Sequence, residues 1–291
     1  MRRILACLAL AFTAACALPG GEAAHPIIGP GGARLSEAEL VEALGAAQVV
    51  VLGEVHDNAV HHARQARLVR ALGPAGLAFE MVPEGSEEGI AVFRAQGGAP
   101  AEIGPAIGWE RLGWPDWALY SPVFEAAPDA YIAGGGPARA EIRVAVAKGA
   151  AAAWGAGSDA VGLDSPPDAE TRRRLEDEMI AAHCDRIARL TARAMLEAQR
   201  FKDARLAEAA LRALERGGGR AILVTGNGHA RTDRGAPAYL RSLAPGIAVA
   251  SVGMIELPLG ADPLAQARGL PFDYVWFSDP HRRGDPCEGF G

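Results

Sequence analysis

Lysine is almost missing from this sequence: the chain has 29 basic residues, and Lys148 and Lys202 are its lysines. Thirty-five acidic residues outweigh them and leave a formal charge of −6, which argues against the basic face that nucleic-acid binding requires. Aromatics make up only 6%, and 36 Gly and 20 Pro stay below a low-complexity composition, so disorder is not expected. There is no internal repeat at solenoid spacing and no long run of one charge sign. What remains is an ordinary globular composition, 49% hydrophobic, in a chain of 291 residues that is long enough for one well-filled body.

The N-terminus carries a targeting signal. Arg2 and Arg3 precede the apolar run Ile4–Ala15, followed by Cys16, Ala17, Leu18 and Pro19, the layout of a secretory signal peptide. The run is too short for a permanent membrane helix. Thr13-Ala14-Ala15-Cys16 has the look of a lipobox, although Thr13 stands where that pattern prefers Leu. Two outcomes are therefore open: membrane anchoring through a lipidated Cys16, or cleavage after a small residue such as Ala17. Residues 1–24 are read as signal and linker start, and residues 25–291 as the folded domain. Of four cysteines, export removes Cys7 and removes or acylates Cys16, which leaves Cys184 and Cys287 as one pair in an oxidising compartment. A disulfide between them would pin the tail "DPHRRGDPCEGFG" to the helical middle of the chain.

Residues His25–Arg34 read as a Pro/Gly-rich linker. Ser36 and Glu39 have capping-box spacing at the start of a helix, and the apolar run Val49–Leu52 is a buried strand. A helix from about Ala59 carries His61, Gln65, Leu68 and Leu72 on one stripe and stops at Gly73-Pro74. Further strands are expected at Gly76–Val82, Ala130–Gly134, Ala221–Gly226, Ala248–Leu257 and Tyr274–Ser278, separated by helical patterns. That alternation predicts an α/β fold with a mostly parallel sheet flanked by helices. Two strand-free helical regions, about 85–127 and 169–216, are expected to form a small helical subdomain, the second broken near Cys184 to Thr191.

Ligands of open parallel sheets bind beyond the carboxyl ends of the strands. Three expected strands end in reactive residues: "LGEVH" with Glu54 and His56, "AFEMV" with Glu80, and "TGNGHAR" with His229 and Arg231. If these strands are neighbours, Glu54, His56, Glu80 and His229 converge as a carboxylate and imidazole set for a divalent metal or for acid/base work. Local explanations compete. Asp57 or Asn58 serves as an N-cap, and His61 on the inward stripe is as well explained by burial as by ligation. His62, one residue off that stripe, could be solvated. Gly226 and Gly228 permit positive φ, and the free N–H groups of their turn could hold a carboxylate beside Arg231.

The segments "LGEVHDN", "HHARQARLVRAL", "LAFEM", "WERLGWPDWALYSPVFEAA", "EAQRFKDARLA", "TGNGHARTDRGAPAYL" and "FDYVWFSD" occur in this order. In them the chain resembles the ChaN-like haem-binding uptake family of the Tiki superfamily. The resemblance implies an envelope lipoprotein, facing the periplasm from the outer membrane and linked to haem and iron uptake. It also implies a parallel-sheet body with a small helical domain. The superfamily's glutamate pair and Gly-x-x-His motif land on Glu54, Glu80 and Gly226–His229. Haem contacts are then expected from Tyr120, His61, His62 and Arg231, with a homodimer sharing the planar ligand. Tyr120 belongs to the aromatic series Trp109, Trp114, Trp117, Tyr120 and Phe124, a spacing that packing explains equally well. The Gly134-Gly135-Gly136-Pro137 turn departs from the expected pattern, and there is no Cys-x-x-Cys-His attachment motif. Some relatives in the superfamily are metal-dependent peptidases or esterase-like hydrolases, so three readings stand: haem binder, hydrolase using Glu54, Glu80 and His229, or a buried polar network without a ligand.

Overall fold

Four apolar residues in a row without polar alternation suit a strand covered on both faces. Val49, Val50, Val51 and Leu52 are all fully buried at the centre of the sheet. The computed structural model describes residues 25–285, 287 and 288; the signal segment, with Cys7 and Cys16, lies outside them. The strands are β1 (Ile27–Ile28), β2 (Arg34–Leu35), β3 (Val49–Glu54), β4 (Gly76–Pro83), β5 (Tyr131–Gly136), β6 (Ala221–Gly226), β7 (Val249–Glu256) and β8 (Tyr274–Ser278). Among the described residues they form one eight-stranded sheet in the order β2-β1-β8-β7-β3-β6-β4-β5. From β8 to β5 every pairing is parallel. The expected fold class is what the chain adopts.

The supposed linker His25–Arg34 is instead part of the sheet. Ile27 and Ile28 pair antiparallel with Trp276 and Val275 of β8, and both isoleucines are buried. Two adjacent apolar residues that need cover account for this short edge, which β2 then extends.

The helices are α1 (Glu37–Leu44), α2 (Ala59–Leu72), α3 (Glu87–Ala95), α4 (Ile103–Ile107), α5 (Trp117–Glu125), α6 (Arg139–Lys148), α7 (Ala150–Trp154), α8 (Ser158–Val161), α9 (Ala169–Ala182), α10 (Arg189–Gly217), α11 (Ala236–Leu243) and α12 (Pro263–Ala267). Ser36 and Glu39 close the capping box of α1, and Asn58, not Asp57, caps α2 by accepting from Val60 N and His61 N. None of the described helices is long and apolar enough to cross a membrane.

Strand alternation sends Val50, Leu52 and Phe79 to one face, where they pack with α2 and α5, including a Phe79–Phe124 ring stack at 4.1 Å. Val49, Val51 and Ala78 face the other way and meet the alanine-rich α10. That helix lies so close to β4 that a Cβ on Gly76 would stand 2.0 Å from Ala213 O. The helical regions near 85–127 and 169–216 therefore cover opposite faces and do not join over one. Between α9 and α10 the chain turns through Cys184 and Asp185, both at positive φ (58° and 57°), within the expected break. Cys184 is bonded to Cys287, as the cysteine pairing anticipated.

Candidate functional site

The register brings the reactive strand ends together. In β6, which lies between β3 and β4, Gly226 is level with Glu54, and Val224 is level with Phe79, the residue before Glu80. Glu80 therefore falls at the level of Thr225, one residue below Glu54 on the sheet's C-terminal edge. The two carboxylates face opposite ways: Glu54 falls in alternation with Leu52 toward α2 and α5, Glu80 with Ala78 toward α10.

On the first face Glu54 gathers three side chains. His56 Nδ1–H donates to its Oε1 at 2.8 Å, and the Tyr120 hydroxyl donates to the same oxygen at 3.0 Å. His62 Nδ1 lies 3.1 Å from Oε2 without hydrogen-bond alignment, while its Nε2–H donates to His56 O. Burial, followed by the Glu54 charge, pushes the Tyr120 phenol well above its ordinary range, so it stays a neutral donor.

On the second face Glu80 accepts from Thr225 Oγ1 at 2.8 Å, Gly226 N at 2.9 Å and Lys202 Nζ at 3.0 Å, and lies 3.4 Å from His229 Nε2. His229 Nδ1 in turn lies 2.6 Å from Asp203 Oδ1. Burial opposes charge on His229, but the Glu80 and Asp203 carboxylates outweigh it and lift its pKa to about 9. Burial likewise works against ionised Glu80, yet the His229 and Lys202 cations hold it well below the usual carboxylate range. Burial pushes Asp203 upward.

His56 joins the halves. Its Nε2 lies 3.9 Å from Glu80 Oε2, its ring tilts against Trp114 with centroids 4.9 Å apart, and its side chain is 33% exposed. Burial lowers its basicity, but the Glu54 hydrogen bond and the Glu80 charge raise it more, so the net shift is upward. Gly226 gives the ring room, since a Cβ there would stand 2.9 Å from His56 Nε2. Neither Gly226 nor Gly228 has a positive φ, so space, not backbone freedom, explains Gly226. The turn's N–H does hold a carboxylate as anticipated, and that carboxylate is Glu80 itself.

Other candidates lie elsewhere or are engaged. His61 is fully buried: Nδ1 accepts from Val55 N, Nε2 contacts Ser278 Oγ, and burial with the nearby Arg64 charge pulls its pKa down to about 3. It braces the strand-to-helix turn and offers no lone pair to a ligand. His62 is buried rather than solvated, and Tyr120 is fully buried behind Glu54. Arg231 pairs with Asp233 at 2.7 Å instead of supporting the turn.

The metal reading of Glu54, His56, Glu80 and His229 gains no support from the arrangement. Lys202 and a protonated His229 already supply the positive charge beside Glu80, and no metal-holding group occurs among the described residues. Lys202 and Asp203 were missed by sequence reasoning. They sit in a long Ala/Arg/Glu helix, but a lysine in a chain with only two was a signal that could have been followed.

A cleft of about 640 Å³ opens beside Glu80, lined among others by Leu112, Trp114, Ile142, Arg111, Arg139 and Lys202. Fold and site together define a mostly parallel α/β protein whose carboxylate–imidazole cluster bridges the sheet edge and borders a cleft lined by apolar, cationic and acidic side chains. Residues 40–240 match the family model described as haem-binding uptake, Tiki superfamily, ChaN, and the chain belongs to that family. A solved structure, "Cofacial heme binding to ChaN of Campylobacter jejuni", is similar at 19% identity and a TM-score of 0.65, covering 86% of this chain and 95% of that one. The type III effector HopBA1 is similar at 15% identity and a TM-score of 0.46, covering 83% of this chain and 92% of its own. Comparison with curated protein sequences gave no match.

Proposed function

We propose that this chain binds haem in the cleft beside Glu80, with His56 as the axial ligand, as an exported protein of haem and iron uptake. The observation that carries the assignment is the state of His56. Of the imidazoles at the sheet edge, His62 and His229 are buried, whereas His56 is 33% exposed, aimed by Glu54 and backed by Trp114, a wall of the cleft. Haem supplies a flat apolar body, an iron that takes an imidazole nitrogen, and two carboxylates. The residues fit those needs: Leu112, Trp114 and Ile142 for the ring, and Arg111 and Arg139 for the carboxylates. The volume of about 640 Å³ lies within the ~300–1,000 Å³ usual for cofactor sites.

The Cys184–Cys287 bond supports an oxidising compartment, and with the N-terminal signal and Cys16 favours a lipid-anchored envelope protein. The relative described with cofacial haem supports a homodimer in which two such clefts meet. The hydrolase alternative has less support, because the oxygens of Glu80 are taken up by Lys202, Thr225, Gly226 N and His229 and leave none free to activate water.

The test is a hemin titration of the purified protein followed at the Soret band. Saturable binding that His56→Ala weakens at least about tenfold, or about 1.4 kcal/mol, supports the reading. Binding untouched by that substitution removes His56 as the ligand.

A further inference from the structure

We propose that the protein has a second ligand pocket, between α9, α10 and α11, that takes a small amphipathic organic acid. This cavity of about 320 Å³ is half the size of the haem cleft and lies on the other side of the buried His229. Asp203 lines this pocket, and Glu80 and Lys202 line the other.

Its walls combine two chemistries. Leu175, Met179 and Leu196 give it an apolar surface, and Arg172, Arg193, Arg200 and Arg234 bring guanidinium groups to it, with Glu197 and Asp233 among them. Three of those cations are already neutralised: Arg193 pairs with Glu176 at 2.7 Å, Arg200 with Glu197 at 3.1 Å and Arg234 with Glu178 at 2.7 Å. Arg172 has no acidic partner among the described residues, and its Nε is buried without a hydrogen bond. Gln199 Oε1, across the cavity on α10, is buried and unsatisfied as well.

Leaving such groups unpaired is costly, and a native protein tolerates that where a ligand or water completes them. A donor on one wall and an acceptor on the other, joined by apolar surface, define the occupant. It carries an anionic group for Arg172, a polar hydrogen for Gln199 and a hydrocarbon or aromatic body between them. Carboxylate on guanidinium is the strong, geometrically specific contact of the set. Haem exceeds this volume.

The probe is 8-anilinonaphthalene-1-sulfonate, an anionic fluorophore with an apolar body, titrated into the full-length protein and displaced with decanoate. The expected result is one saturable site. Arg172→Gln weakens it about tenfold, and Leu196→Trp, which fills the cavity with an indole, abolishes it. Both variants keep the wild-type far-UV circular dichroism and the wild-type Soret titration with hemin. Fluorescence that neither variant changes places the probe elsewhere and overturns the proposal. Displacement of the probe by one equivalent of hemin also overturns it, and does so by making this cavity the haem site. Loss of hemin binding in His56→Ala with the probe unaffected keeps the two sites apart, so the second pocket stands or falls independently of the haem assignment.

Discussion

Glu54 and Glu80 stand one residue apart in register at the sheet edge, with one strand between them, and turn their carboxylates to opposite faces. Each is contacted from its own face: Glu54 by His62 of α2 and Tyr120 of α5, Glu80 by Lys202 of α10 and by His229. His56 is the group that touches both sets, which makes its proton the one most exposed to change from either side.

Haem affinity should therefore fall with acid earlier than for an ordinary histidine ligand. An imidazole ligates only when neutral, and the pKa of His56 is raised above 6.5 by Glu54 and Glu80. Binding is full above the raised value and weakens as pH drops through it. Glu54→Gln removes the hydrogen bond that raises it, so the loss should move to lower pH. Soret titrations across pH 5–9, about the range in which histidines titrate, measure this, and a profile that Glu54→Gln leaves in place contradicts it.

Folding stability should peak near the ordinary histidine pKa. His229 titrates at about 9 when folded and at 6.5 in the reference state, so its contribution is complete below 6.5 and disappears as pH climbs to about 9. His61 works in the opposite sense. Its folded pKa of about 3 means that below 6.5 the unfolded chain takes up a proton the folded chain refuses, and stability falls. Urea denaturation as a function of pH should show the dome. His229→Gln should flatten its alkaline side and leave the acid side sloping; a parallel drop at all pH values would refute the linkage.

Gly226→Ala tests the geometry without touching a titrating group. The backbone tolerates alanine because φ is not positive, but the new Cβ would meet His56 Nε2 at 2.9 Å and Glu80 Oε2 at 3.6 Å. The imidazole must swing away from the strand. A loss of hemin affinity of about tenfold, near 1.4 kcal/mol, with little change in the urea midpoint is expected. Unchanged hemin affinity would mean that this ring orientation is not used in binding.

The strand ends were legible because a parallel sheet gathers its carboxyl termini, and Glu54, His56, Glu80 and His229 each close a strong apolar run. Which face each carboxylate takes was not legible, since that depends on β6 being inserted between β3 and β4, an order set by long-range packing. Ile27–Ile28 is too short for a two-residue period to register. Asp203 falls on the buried side of α10 between Phe201 and Ala204, a polar residue at an apolar position. That break in the stripe is visible only once the stripe is known, because alanines surround the helix on several sides.

The tail provides the last test. Cys287 is tied to Cys184 across a separation of 103 residues, and between β8 and that bond Arg283 reaches Asp57 at 2.7 Å and Glu256 at 2.7 Å. Asp57 stands between His56 and the α2 cap Asn58, whose amide also donates to Glu256. Cys287→Ser should lower the unfolding free energy by about 2–4 kcal/mol, the usual worth of a bond closing a long loop. The two anchors should also couple. With the disulfide in place the tail is already held close, and Arg283 forms its ion pairs at little entropic cost. Without it the same contacts must immobilise a free chain end. Arg283→Ala should therefore destabilise the disulfide-bonded protein more than it destabilises the Cys287→Ser variant. A double-mutant cycle by urea denaturation measures the difference, and strictly additive effects would show that the two anchors hold the tail independently.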